Sequence, residues 1–290
     1  MRRINIIGPM MVTALLAIGP ASAQQTAPLA DNAALRYWAA FSELQDAAIT
    51  DKDAKELNAA LDNLGPLDLS KYKELLQKNT SALEIMARGT LLANCDWGLD
   101  YGLGEDVPVE YARKALMLGR LNILYAIQQY HSGNKDGAVR ALAAGLRFAH
   151  DIGNGGSLFA TLIAKDLLVT HLIAAGDGLR MGQLSASQQS QLQNAVAALG
   201  DGLDWSGAAR RDLEALRTHY AKDAQAAAAL NRIVSSYSAF LSDQSKLPIL
   251  TEAINSAPQE LASVIPNPKR VLEQKQELTD RLQQTRGLSR

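Results

Sequence analysis

Along most of this chain apolar residues recur every three or four positions, the spacing that gathers them on one face of an α-helix. Leu35, Trp38, Phe41 and Leu44 step by three, and Asp31 or Asn32 supplies an N-cap before them. A second helix is predicted over 53–64, with Leu57, Leu61 and Leu64 on one stripe. Gly65-Pro66 ends it, because glycine accepts the left-handed cap and proline cannot continue the hydrogen-bond ladder. Helix resumes over 70–88 with Tyr72, Leu75, Leu76, Leu83 and Met86 facing inward, and Asn79-Thr80 is placed to kink or split it.

The helical period lapses over 89–106, where Gly89, Gly98, Gly102 and Gly104 punctuate the longest irregular stretch. Pro108 fits the first turn of the next helix, where its missing N–H costs nothing. That helix is predicted to reach about residue 131, with Leu116, Ile123, Ile127 and Tyr130 inward. Gly133-Asn134 turns the chain into a partner helix carrying Val139, Leu142 and Leu146 and ending near Gly153. Ser157 then caps a strongly apolar helix over 158–175, the expected central helix because its polar residues are so few. Gly176-Asp177-Gly178-Leu179 and Gly200-Asp201-Gly202-Leu203 are the same tetrapeptide, and both are read as helix ends. Ser185 and Gln188 form a capping box before Leu192, Val196 and Leu199.

The cleanest period lies over 212–241. Leu213, Tyr220, Ala227, Val234 and Leu241 fall seven apart, and in the interleaved series Asp223 breaks the seam. One continuous helix is predicted. Its seam suits a dimeric coiled coil through residues 212–241 or a neighbour within the chain, and the second use is preferred. Pro248, Pro258, Pro266 and Pro268 divide the rest of the chain into short helices. The last, over 268–286, turns Val271, Leu272, Leu278 and Leu282 to one side amid many charges, placed to pack on the bundle, bind a partner or fray. These elements predict an all-α bundle or array of about nine or ten helices.

The first residues have a different character. Arg2 and Arg3 precede a short apolar run from Met10 to Ile18, and Ala21-Ser22-Ala23 gives the small-x-small pattern of signal peptidase cleavage. The run is shorter than the roughly 20 apolar residues of a membrane-spanning helix. The expected organisation is therefore a signal peptide over 1–23, a linker over 24–30, an all-α domain over 31–265 and a charged C-terminal helix over 266–290. Removal of 23 of the 290 residues leaves 267, and the loss of Arg2 and Arg3 takes the formal charge from −1 to −3. That balance argues against sequence-independent nucleic-acid binding, which requires cations to neutralise phosphates. After the signal peptide no transmembrane segment is expected, and the protein is expected in the periplasm or outside the cell. Cys95 is the single cysteine, so the core must hold by packing without an internal disulfide.

Two resemblances bear on the fold. Gly133-Asn134-Lys135-Asp136-Gly137-Ala138, with small Ala126 and Gly145 on the flanking helices, resembles the hairpin of a tetratricopeptide repeat over residues 119–152. No second copy accompanies it, and a solenoid needs about three. Asn32-Ala33-Ala34-Leu35-Arg36-Tyr37-Trp38, the segment from Cys95 to Asp100 and Gly156-Ser157-Leu158 look like parts of a group of uncharacterised exported helical bacterial proteins. That resemblance implies export and helical fold, and no activity.

Chemistry-bearing patterns are few. His131, His150, His171 and His219 lack zinc-site spacing, so no metal and no cofactor is expected. Gly153-Asn154-Gly155-Gly156-Ser157 could cradle an anion at a helix start, but a glycine cap followed by a serine cap explains it equally. The better candidate is the irregular stretch. Asp96, Trp97, Asp100, Tyr101, Glu105 and Asp106 combine acids with aromatic faces, a set that can bind a cation or a sugar. Two carboxylates about 5 to 9 Å apart could also do glycosidic acid–base work. Equally, the acids could be solvated while Trp97 plugs the core. Any ligand site is expected where residues 94–106 meet 153–157. The functional expectation is an exported, non-enzymatic helical scaffold or binding protein of the cell envelope, with a protein or small-molecule partner. The alternative is an envelope hydrolase, such as a glycan-acting one, that uses this acidic loop.

Overall fold

The computed structural model describes residues 31–45, 50–62, 67–101, 103 and 110–288. They are all-α, and no strand occurs among them. In chain order the helices are α1 (Ala33–Glu43), α2 (Asp51–Asp62), α3 (Lys73–Lys78), α4 (Thr80–Gly89), α5 (Glu110–His131), α6 (Lys135–Gly153) and α7 (Leu158–Arg180). They continue as α8 (Ala186–Ala197), α9 (Trp205–His219), α10 (Ala224–Ser242), α11 (Leu247–Asn255), α12 (Gln259–Val264) and α13 (Pro268–Gly287). The all-α array is as expected, with two predicted long helices each divided in two. The signal peptide, Gly65-Pro66 and Pro108 lie outside the described residues.

The helix α7 is the centre of the array, packed by α2, α5, α6, α8, α9 and α13. Its length and apolar composition would suffice to cross a membrane, and 67% of that stretch is buried inside the fold. It runs through Gly176-Asp177-Gly178 to Arg180, so that tetrapeptide is not a helix end. Gly182, with φ of +62°, follows the actual end. The second copy does turn the chain, through positive φ at Gly200 and Gly202.

Close approach explains where the apolar stripes were misjudged. In α1 the inward face is Ala33, Ala34, Tyr37, Ala40 and Phe41, while Leu35 and Trp38 are exposed. Small residues let α1 lie tight on α4, where a Cβ at Gly89 would stand 2.7 Å from the Tyr37 ring. In α5, Ile123 is buried as expected, but Leu116, Ile127 and Tyr130 are only half-buried. Leu118, Leu121 and Leu124 are inside instead, since α6 and α7 cover more than one face of α5. The α5–α6 hairpin turns at Gly133 (φ +84°), and the Asn134 side chain caps α6.

The predicted single helix over 212–241 is two helices. Asp223, the polar break in its seam, accepts hydrogen bonds from the backbone N–H of Gln225 and Ala226 and so starts α10. A carboxylate in that position competes with the helical ladder. The helices α9 and α10 pack on each other and bury Leu213 and Leu230, and Arg217 donates to Asn231 at 2.9 Å across them. The continuous helix behind the coiled-coil dimer is therefore absent. Asn79 likewise divides 70–88 into α3 and α4, as its position suggested. The charged α13 packs on α7 and α8 through Val271, Leu278 and Leu282.

Candidate functional site

The irregular stretch after α4 is fastened near its start by two anchors. Asn32 donates to the Asp96 carbonyl at 2.7 Å and accepts from the Asp96 N–H at 2.9 Å. Arg147 reaches from α6 to the Ala93 carbonyl at 3.1 Å. Directly after these anchors Trp97 enters the core, only 7% exposed. Its ring stacks on Tyr111 with centroids 4.4 Å apart and on Phe41 at 6.2 Å. The indole N–H donates to the Asp151 carbonyl at 2.9 Å, which satisfies its polar edge.

Asp151 is the centre of this arrangement. Its carboxylate accepts from the Tyr37 hydroxyl at 2.6 Å and from Arg147 Nε at 2.8 Å. Burial and the neighbouring Asp151 push the Tyr37 phenol far above its ordinary range, so it stays a donor. Burial, aided by Asp151, also raises the Cys95 thiol well above its normal value. A thiol held neutral is a poor nucleophile, and Cys95 serves as partly buried filler.

The sequence-derived site residues divide accordingly. Trp97 is buried in the core. The Asp96 carboxylate is exposed and accepts from the Gly98 N–H at 2.9 Å, closing its own turn where Gly98 has φ of +63°. Asp100 is also exposed, and neither it nor Asp96 lines the two cavities described below. Tyr101 donates to the Gly155 carbonyl at 3.0 Å, so the loop does meet the turn before α7. Glu105 and Asp106 lie outside the described residues.

The start of α7 has its anion within the chain. Ser157 Oγ accepts from the Ala160 N–H at 3.2 Å, and Asp212 accepts from the Leu158 N–H at 3.1 Å. The Asp212 carboxyl is pushed up to about 6 by burial, against the opposing pull of that hydrogen bond and of Arg211. Arg211 donates through Nε to the Gly156 carbonyl at 2.9 Å. Among the described residues, its Nη2 and the Tyr111 hydroxyl are buried without hydrogen-bond partners.

The histidines remain dispersed, and among the described residues no cluster of three His, Cys, Asp or Glu side chains could hold a metal. His171 is fully buried, with Nδ1 2.7 Å from the Leu167 carbonyl and Nε2 3.1 Å from the Asn122 amide. Those distances fit a neutral ring with the proton on Nδ1. Desolvation brings its pKa down to about 4.

A feature that the sequence patterns did not isolate lies across α7. Helices α2, α5, α7 and α13 enclose a cavity of about 270 Å³. Leu57, Leu116, Ile123, Leu167 and Ile173 give it an apolar wall. Its other side is charged, with Arg120, Lys165 and Arg281 against Asp166 and Glu277. Lys165 is 4% exposed and is held by Glu277 at 2.5 Å and by Asp166 at 3.3 Å. The signal in the sequence was a lysine inside the most apolar helix. Its partner lies in the C-terminal helix, a pairing no local pattern reveals. A smaller cavity of about 200 Å³ lies between α4, α5 and α6, lined by Glu84, Asn122, Tyr125 and Arg140 among others.

The class defined by these features is an all-α helical array with a charged, partly apolar cavity beside its central helix. No protein-family model, curated protein or solved structure matches the chain.

Proposed function

We propose that this protein is an exported, non-enzymatic helical protein of the cell envelope that binds a small molecule. The observation that carries the reading is the cavity beside α7. Apolar walls with a few placed charges are the usual make-up of a small-ligand site between packed helices. Export is supported by Arg2-Arg3, the apolar run and Ala21-Ser22-Ala23. The hydrolase alternative receives less support. Trp97 is committed to the core and the Asp96 carboxylate to its own turn.

The test is to isolate the protein from the envelope fraction of its native host and examine it by N-terminal sequencing and native mass spectrometry. The chain should begin at Gln24 and carry a non-covalent small molecule that stays chemically unchanged on incubation. An intact Met1 on cytoplasmic protein would overturn export. Conversion of the retained molecule into product would overturn the binding reading in favour of catalysis.

A further inference from the structure

The geometry points to a small amphipathic monoanion, of the medium-chain carboxylate type, as the ligand of the cavity enclosed by α2, α5, α7 and α13. The inference rests on the binding reading above and adds the chemistry of the ligand. Five charged side chains line the cavity: three cationic and two anionic, leaving one positive charge in excess. The two acids are both engaged by Lys165. Among the described residues no hydrogen bond or ion pair engages the Arg281 guanidinium, which lines the same cavity from α13. Arginine presents a planar fork of donors suited to a carboxylate, so Arg281 is the residue placed to take the head group.

The opposite wall sets the rest of the molecule. Leu57, Leu116, Ile123 and Ile173 offer hydrocarbon and no polar partner, so an inorganic anion would leave this surface unused. At about 270 Å³ the cavity falls just below the range of roughly 300 to 1,000 Å³ typical for drug-sized ligands, which favours a short chain. Glu277 repels a second negative charge and so favours a monoanion, while its bond to Lys165 fixes the charged wall in place.

The probe is octanoate, with octanol (same chain, no charge) and acetate (same charge, no chain) as controls, titrated into the full chain by calorimetry and by thermal melting. Octanoate should bind at one site and raise Tm, and both controls should be at least tenfold weaker. Arg281→Gln should weaken octanoate binding tenfold or more, while Arg281→Lys retains part of the affinity. Leu116→Trp, at a half-buried position on the apolar wall, should abolish binding by filling the cavity. Octanol matching octanoate would overturn the inference, as would no saturable octanoate binding or unchanged affinity in Arg281→Gln. A different retained molecule in the envelope-purified protein, with no octanoate binding, would sink this inference alone and leave the binding reading intact.

Discussion

Tyr37 in α1 and Asp151 in α6 share a buried hydrogen bond of 2.6 Å, and two of the loop's attachments run through the same aspartate. The Asp151 carboxylate also holds Arg147, which reaches the Ala93 carbonyl, and the Asp151 carbonyl accepts the Trp97 indole. Loop, first helix and α6 thus converge on a single residue.

Removing either partner should therefore be costly. Tyr37→Phe leaves the packing intact but deletes one hydrogen bond to a charged acceptor, and should cost about 1 to 3 kcal/mol in urea unfolding. Asp151→Ala strands the Tyr37 hydroxyl and removes one partner of the half-exposed Arg147, which keeps the Ala93 carbonyl, and should cost roughly 1 to 3 kcal/mol. If both variants lose less than about half a kcal/mol, the node is not structural.

Gly145 should tolerate no side chain. A Cβ there would press on the His171 ring and the Asn122 amide, which already hydrogen-bond each other in the core. Gly145→Ala should cost about 1 to 3 kcal/mol by overpacking. Gly287→Ala is the control, because no described residue stands within 4 Å of a Cβ at that position. Equal melting temperatures for the two variants would show that the α6–α7 contact is looser than described.

The fold was legible where one face of a helix meets the core. Val139, Leu142 and Leu146 in α6, the Ser185–Gln188 capping box and the split at Asn79 all followed from local pattern. Local pattern failed where the deciding contact is distant or the packing unusually close. Leu35 lost its inward place to alanines because Gly89 lets α4 approach α1. Asp223 was treated as a flaw in a seam, although an aspartate is also an N-cap, and the choice depended on α9 folding back onto α10. Among the site residues, loop composition predicted the meeting with residues 153–157, which Tyr101 makes through the Gly155 carbonyl. It could not show that Trp97 faces inward, since an aromatic beside acids serves core and binding surface alike. The charged cavity brings together Lys165 and Glu277 from helices far apart in the chain.

Asp223 offers a direct check on the divided helix. As an N-cap it accepts two backbone N–H groups, so Asp223→Ala should cost about 0.5 to 2 kcal/mol. In a continuous helix the same change would remove a poor helix former from the interior and raise stability slightly. The sign of the change in urea midpoint thus separates the two structures. Leu230→Ala should cost roughly 2 to 5 kcal/mol with either arrangement, because Leu230 is fully buried.

Two desolvated groups, the buried His171 and the half-buried Asp212, should pull the acid stability of the protein in opposite directions. His171 has a pKa near 4 in the folded protein against an ordinary 6.5, because desolvation disfavours its cation. Between those values the unfolded chain binds a proton that the native state does not. His171 therefore gives stability that is present above pH 6.5 and is lost as the pH falls toward 4. Asp212 behaves the other way, with a folded value of about 6 against 3.8. Its contribution is present below pH 3.8 and is lost as the pH rises through 6. Each term amounts to roughly 3 kcal/mol at most, by the linkage of pKa shift to free energy. Over pH 4 to 6 they largely cancel, and urea midpoints of the unsubstituted protein should change little there from these two groups. Asp212→Asn keeps an acceptor for the Leu158 N–H but removes the proton, so its midpoint should fall steeply on acidification from pH 6.5 to 4. His171→Gln removes the opposing term, and its midpoint should instead fall as the pH rises from 4 to 6. Parallel pH profiles for these two variants and the unsubstituted protein would mean that neither group titrates differently on folding.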